Sequence, residues 1–248
     1  MRSITSARLT VLAGILVVLL STVSRSSVSL WAADDPLDAA LETARKSHDE
    51  TQLQSLKTQL EHKIAQNAKD ASSYFALARV HEYLLDVCEM RKDKKAAAAA
   101  VDKAIEAVQR SIQLNDKSAD AHSLLADLYG RKISLGNAMF AGPKFGPKVK
   151  EENAKAMALD DKNPRVWASQ GRQYLMTPKM FGGDVAKALE SFQKSLAIDP
   201  LQDEAWVWLA KAFQKQGNKA KALEAVQRSL QLNPESPFAK ATASELQR

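Results

Sequence analysis

A helical pattern that recurs four times limits this chain more than any other feature. Near the C-terminus, Trp206, Leu209, Ala210 and Phe213 follow the spacing of one helix face. A Gly-Asn pair then breaks the helix, and a second helix with smaller residues on its face ends in Leu-Asn-Pro. The same order begins further upstream at Trp167, His122 and Tyr74. A bulky face and a small face pack closely, so the predicted unit is an antiparallel helical hairpin.

The spacing of the copies separates a constant part of the unit from a variable part. From the small residue of each second helix to the next copy the distance is 11 residues: Ser111 to His122, Ala156 to Trp167, and Ser195 to Trp206. The distance within the hairpins falls from 37 to 34, 28 and 23 residues. Because each hairpin buries a face on the next, the joint between hairpins is fixed and the turn inside each hairpin can grow. The added residues should therefore all emerge at one edge.

These residues resemble the tetratricopeptide repeat (TPR) family over roughly residues 71–234. The resemblance implies an all-α, right-handed superhelical solenoid of antiparallel helix hairpins, while the spacing predicts lengthened turns and the N-terminal segment predicts export. We expect a signal peptide at 1–33, a degenerate hairpin or cap at 34–70, four hairpins at 71–234 and a capping helix at 235–248. The long turns and a Gly171-Arg172 pair also resemble the helical domain of the regulator-of-microtubule-dynamics family. Because the N-terminus predicts export, we do not transfer a cytoskeletal function from that resemblance.

The N-terminal segment has the order of a secretory signal peptide. Arg2 and Arg8 precede an apolar run over 9–20, and small residues follow up to Ala32 and Ala33, where we expect cleavage. An uncleaved anchor stays open as an alternative. The predicted location is periplasmic or secreted.

Charge and composition exclude several functional classes. The net charge is +6, but the leader holds three arginines and no acid, which leaves 32 − 29 = +3 for the mature chain. A nucleic-acid partner is not expected at so small a positive charge. Cys88 is the one cysteine, so no intramolecular disulfide forms, and we expect it to pack as a buried apolar residue.

No catalytic, metal or cofactor motif is present, so we expect no enzyme activity and no cofactor. His81 and His122 occupy repeat positions where other copies have packed aromatic residues, and packing is their expected role.

The concave face formed by the first helices is the first candidate for partner binding. Counting from the packed residues places six basic and four acidic side chains there: Arg79, Glu82, Asp120, Asp127, Arg131, Arg165, Arg172, Glu204, Lys211 and Lys215. The face is then mildly positive. It is either a solvated surface with compensating charges or a seat for an acidic or C-terminal carboxylate peptide.

The lengthened turns are the second candidate. The first insertion has no Gly or Pro and should only lengthen its helices, whereas 136–147 should be a true loop. The candidate side chains are Met139, Phe140, Phe145, Met180 and Phe181. They either fold back and pack or form an exposed apolar strip, with Phe181 expected to pack and Phe145 to be the anchor.

The predicted function is a non-enzymatic protein–protein interaction scaffold of the bacterial cell envelope, with a peptide or protein partner. The alternative is an accessory subunit that holds an anionic glycan or small molecule for an envelope enzyme or transporter. Membrane contact is expected only through an uncleaved leader. The oligomeric state stays open.

Overall fold

The computed structural model describes residues 36–248, so the predicted signal peptide lies outside the described residues. Within this range the chain forms eleven α-helices and no strand, which confirms the all-α class. The helices are α1 Pro36–Ser47, α2 Glu50–Gln66, α3 Ala71–Met90, α4 Lys94–Leu114, α5 Ala119–Leu135, α6 Ala138–Leu159, α7 Pro164–Met176, α8 Val185–Ile198, α9 Asp203–Gln216, α10 Lys219–Leu232 and α11 Pro237–Gln247.

The helices pair into five antiparallel hairpins, numbered 1 to 5 from α1–α2 to α9–α10, and α11 packs on the last of them. In each hairpin the first helix has the odd number. Each second helix also packs against the first helix of the next hairpin. The result is a solenoid of antiparallel hairpins, as the repeat pattern predicts.

Polar side chains fix where the helices begin and how hairpins close. Asp49, Asp93 and Ser118 each accept a hydrogen bond from a backbone N–H of the first turn that follows them. The Ser111 hydroxyl donates to the carbonyl oxygen of Ala71 at 2.8 Å, and Ser195 donates to Pro164 at 2.7 Å. These bonds tie the second helix to the start of the first one in the same hairpin. They explain why the small residue keeps a constant position before the joint.

Close packing inside hairpin 4 depends on a glycine. Phe192 on α8 is fully buried, and its ring lies against Gly171 on α7. A Cβ atom at Gly171 would stand 2.6 Å from Cε1 of Phe192. Because Gly171 has no side chain, the Phe192 ring can lie directly against the backbone of α7, and the two helices can approach closely.

The first insertion lengthens α3 and α4 to 20 and 21 residues, as predicted. The prediction of a loop over 136–147 is wrong. The helix α6 begins directly after Asn137, whose side chain accepts from the N–H of Met139 at 3.0 Å, and it continues through Pro143 and Pro147. Both prolines are exposed, so the carbonyl groups that lose their partners can bind water.

No helix among residues 36–248 is long and apolar enough to cross a membrane.

Candidate functional site

Three arginines on the concave face each pair with an acid on the preceding first helix. Arg79 Nη1 lies 3.0 Å from Asp38 Oδ1. Arg131 pairs with Asp86 and also with Glu89, and Arg172 forms a two-pronged pair with Asp127. We call the arginines Arg79, Arg131 and Arg172, with these acids, the arginine ladder. Its ion pairs connect α1 to α3, α3 to α5 and α5 to α7 across the groove.

The ladder follows from the repeat. The arginine and the aspartate of each pair are separated by 41, 45 and 45 residues in the sequence. This is about the distance between copies of the repeat, so each pair joins the first helices of adjacent hairpins. Asp38, Asp86 and Glu89 were missing from the set of candidates. The signal that could have found them is an acid about one repeat length before each arginine.

The ladder does not continue from α7 to α9. No acid occurs in α7, and Lys215 on α9 donates instead to the carbonyl oxygen of Leu175 at 2.6 Å. Lys211 lies 3.3 Å from Glu245 on α11. Most cations of this face are therefore matched by acids of this chain, which favours the predicted alternative of a surface with compensating charges, and Lys215 is held by a backbone carbonyl.

A further arginine bridges the two ends of the solenoid. Arg45, in the last turn of α1, places Nη2 2.7 Å from Asp203 Oδ1 and Nη1 2.9 Å from Glu204 Oε1, both at the start of α9. Asp203 is buried and also accepts from Asn233 at 2.9 Å. We call this contact the clasp. Sequence reasoning missed it because it joins residues that are 158 positions apart.

Glu82 lies inside the same groove without a hydrogen-bond partner among the described residues. Burial raises its pKa to about 8, and the neighbouring carboxylates Asp86 and Asp127 add to the effect. Near neutral pH a large share of Glu82 is therefore protonated. The middle of the groove is consequently less negative than a count of its acids suggests.

Arg165 differs from the ladder arginines. It is exposed at the start of α7, and its guanidinium forms no ion pair within the described part of the chain. It lies near enough to the buried Tyr83 to oppose the rise in the pKa of Tyr83 that burial causes. Of the six cations predicted on this face, Arg165 is the one left open for an external carboxylate among residues 36–248.

The predicted roles of Phe145 and Phe181 are wrong, because Phe145 packs and Phe181 is exposed. Phe145 stacks on Tyr129 with ring centroids 5.6 Å apart and packs against the core of hairpins 2 and 3. Phe181 is exposed, as are Met139, Phe140 and Met180. Phe145 is therefore a packing residue because α6 is helical there, and Phe181 projects from a short 3-10 turn.

His122 packs in the interior, as predicted, and His81 is partly buried. His122 is buried, with Nδ1 2.5 Å from Glu152 Oε2 and Nε2 3.0 Å from the carbonyl oxygen of Asp116. Cys88 is half-buried, and burial raises the pKa of its thiol. Within 36–248 no group of three or more His, Cys, Asp or Glu residues could hold a metal ion.

Comparison with known families identifies the larger part of the chain. A family model described as regulator of microtubule dynamics protein 1-3 matches residues 40–176, more than half of the sequence. The chain belongs to the regulator of microtubule dynamics protein 1-3 family. The match extends the resemblance noted at Gly171-Arg172 over hairpins 1 to 3 and α7. In this family member, a tetratricopeptide repeat model matches residues 182–245, which confirms the repeat prediction for the C-terminal part.

No curated protein matches this family member. Among solved structures, TTC0263, a thermophilic TPR protein of Thermus thermophilus, is 15% identical with a TM-score of 0.64, covering 85% of this chain and 98% of that one. A structure of pilF from Pseudomonas aeruginosa is 21% identical with a TM-score of 0.45, covering 67% and 68%. YrrB, described as a TPR protein with an unusual peptide-binding site, is 13% identical with a TM-score of 0.42, covering 85% and 98%. The likeness to TTC0263 supports the TPR solenoid fold.

Proposed function

We propose that this chain is a non-enzymatic scaffold that binds a peptide or protein partner through a carboxylate at Arg165. The family match and the TPR fold support an interaction scaffold in general terms. The observation that carries the site is the exposed guanidinium of Arg165, beside arginines that are already paired.

Physical chemistry favours Arg165 over the ladder. Arg172 and Arg131 already satisfy carboxylates, and a partner would have to displace those acids to reach them. Arg165 presents a planar fork of N–H donors that matches a carboxylate without such a displacement. A single carboxylate, from an acidic side chain or a chain terminus, is therefore the expected contact.

A charge reversal with a matched control tests the site. Purified protein carrying Arg165→Glu should recover less partner from envelope extracts than the wild type. Lys162→Glu makes the same charge change on the exposed turn just before α7, so it should recover partner normally. Equal recovery by all three proteins would remove Arg165 from the site.

We further propose that the scaffold acts in the cell envelope after export. The order of residues at 1–33 supports this location. The expected result is a mature chain that begins near Asp34, measured by mass spectrometry of the exported protein. An intact N-terminus in the membrane fraction would favour the anchor instead.

The family match favours a second candidate, because the family is described by the regulation of microtubule dynamics. Co-sedimentation of the purified chain with microtubules tests it directly. The two candidates require different compartments, so the fate of residues 1–33 in cells separates them.

A further inference from the structure

The turns of the solenoid lie at two opposite edges. Helices α5 and α7 pack against each other, and they run in the same direction because one antiparallel helix separates them in the chain. Their C-terminal ends, with the turns inside hairpins 3 and 4, therefore share one edge. We call it the turn edge, and we call the opposite edge, formed by the turns between hairpins, the joint edge.

The turn edge carries most of the exposed apolar surface of hairpins 3 and 4. Within residues 36–248 the four most exposed large apolar side chains are Met180, Met139, Phe140 and Phe181, at 82, 77, 74 and 73%. Met176, at 60%, lies beside them at the end of α7. Exposed apolar groups gathered at neighbouring turns indicate a contact surface rather than scattered surface residues.

The unpaired charges nearest these side chains are mostly positive, and Asp184 is held as the N-cap of α8. No acid occurs between residues 133 and 150 or between 164 and 183. Exposed lysines stand at 144, 148, 150 and 179, and none forms an ion pair with another described residue. Lys144 and Lys148 lie over the Phe145 ring at 5.2 and 6.0 Å.

The joint edge has the opposite character. Its five turns hold six acids against three lysines: Asp70, Asp116, Asp160, Asp161, Asp199 and Glu235 against Lys69, Lys117 and Lys162. Counted in the same way, the turns inside the five hairpins hold three acids and three bases, so the joint edge is the more acidic of the two. A difference in charge between two edges orients a protein above a charged surface before any contact forms.

We propose that the turn edge of hairpins 3 and 4 docks on an anionic lipid surface. Methionine and phenylalanine side chains enter the interfacial layer, and the surrounding lysines contact lipid phosphates. Unpaired lysines beside exposed apolar side chains fit a continuous negative surface that also accepts apolar groups. This membrane contact is separate from the leader, and it differs from the carboxylate site at Arg165.

Vesicle flotation of the chain from Asp34 onward tests the proposal, since its described helices form a compact unit with their own hydrophobic clusters. The probes are phosphatidylcholine vesicles with and without phosphatidylglycerol. We expect binding only to the anionic vesicles, and weaker binding as salt rises. The double variant Phe140→Ser with Phe181→Ser should lower the partition coefficient by roughly ten-fold or more, as loss of buried apolar surface requires. Lys144→Glu, Lys150→Glu and Lys179→Glu together should abolish binding.

Matched controls lie on the joint edge. Lys69→Glu, Lys117→Glu and Lys162→Glu make the same total charge change on exposed residues, and Leu201→Ser removes an apolar side chain that is 65% exposed. Both controls should bind vesicles like the wild type, and circular dichroism melts should be unchanged for every variant. Failure of the wild type to bind anionic vesicles would overturn the proposal. So would equal losses in the joint-edge controls, or a protein that loses a cross-linked protein partner but no vesicle binding when Phe140 and Phe181 are changed.

Discussion

Gly171 shows how a single residue sets the distance between two helices. A methyl group there would overlap the buried Phe192 ring, and the ring is enclosed on its other sides by the core of hairpins 4 and 5. In an open helix, alanine would be preferred to glycine. At position 171 the steric overlap with Phe192 should outweigh the helix preference of alanine over glycine.

We expect Gly171→Ala to lower the free energy of unfolding by about 1–3 kcal/mol, the usual cost of overpacking. Gly130→Ala is the control, because Gly130 lies within α5 with no atom in the way of a Cβ. That change should raise the free energy by about 0.5–1 kcal/mol. Urea denaturation measures both, and a stabilised Gly171→Ala protein would contradict the packing described here.

The His122–Glu152 pair should make stability depend on pH. The hydrogen bond to Glu152 raises the pKa of His122, so this contribution is complete below about 6.5 and is lost as pH rises through the folded pKa. Burial acts to raise the pKa of Glu152, but hydrogen bonds from His122 and Lys155 outweigh it and lower that pKa. The carboxylate contribution is therefore complete above about 4.3 and is lost as pH falls. His122→Gln should cost most between these two values and less in alkaline solution, as measured by urea denaturation across a pH series.

The pKa of His81 is shifted in the opposite direction to that of His122, so the same pH series should show an opposite effect. Burial, assisted by Lys57 and Lys103, lowers its pKa to about 4. The wild type should lose stability through this group as pH falls below about 6.5, the ordinary histidine value. His81→Gln should remove that loss. Identical pH profiles for the two variants would show that neither environment acts as described.

At the scale of elements, α6 shows where helix prediction from sequence works and where it fails. Apolar periodicity predicts its C-terminal half, but Pro143 and Pro147 predict a loop in its N-terminal half. Their spacing of four puts both on one exposed face, so water can satisfy the carbonyl groups they leave unpaired. Tertiary contacts of Phe145 with Tyr129 then hold the segment helical. A single sequence does not reveal whether such packing outweighs the cost of two prolines.

The packing of α6 can be tested with its two phenylalanines, one packed and one exposed. We expect Phe145→Ala to lower the free energy of unfolding by about 1–3 kcal/mol, less than the ~3–5 kcal/mol of a fully buried phenylalanine. Phe140→Ala should change it by less than about 0.5 kcal/mol, because that ring is exposed. Thermal melts that ranked the two variants the other way would restore the loop interpretation.

For the whole molecule, the repeat pattern is enough to predict the solenoid and the edge at which the long turns emerge. The ladder could also have been predicted, since its rungs follow the repeat distance. The clasp could not, because whether Arg45 meets Asp203 depends on the twist accumulated over five hairpins. Small errors in the angle at each joint add up over that distance, and no local pattern records them.

Removing the clasp should destabilise and expand the protein. Arg45→Ala leaves the buried Asp203 without its cation, and we expect a loss of about 3–5 kcal/mol. The radius of gyration measured by small-angle X-ray scattering should increase. Arg91→Ala is the control, because Arg91 pairs with Glu50 between neighbouring hairpins at an exposed site, where a pair is worth about 0–1 kcal/mol. An unchanged radius for Arg45→Ala would mean that the clasp does not hold the ends together.

The clasp also changes how the chain should unravel. In an open solenoid each repeat touches only its neighbours, so terminal repeats can fray one at a time. A bond from the first hairpin to the fifth removes the free ends, so loss of either terminal hairpin requires that bond to break first. Hydrogen exchange in the outermost helices should then approach the rate set by global opening, and the five hairpins should unfold together as one cooperative unit.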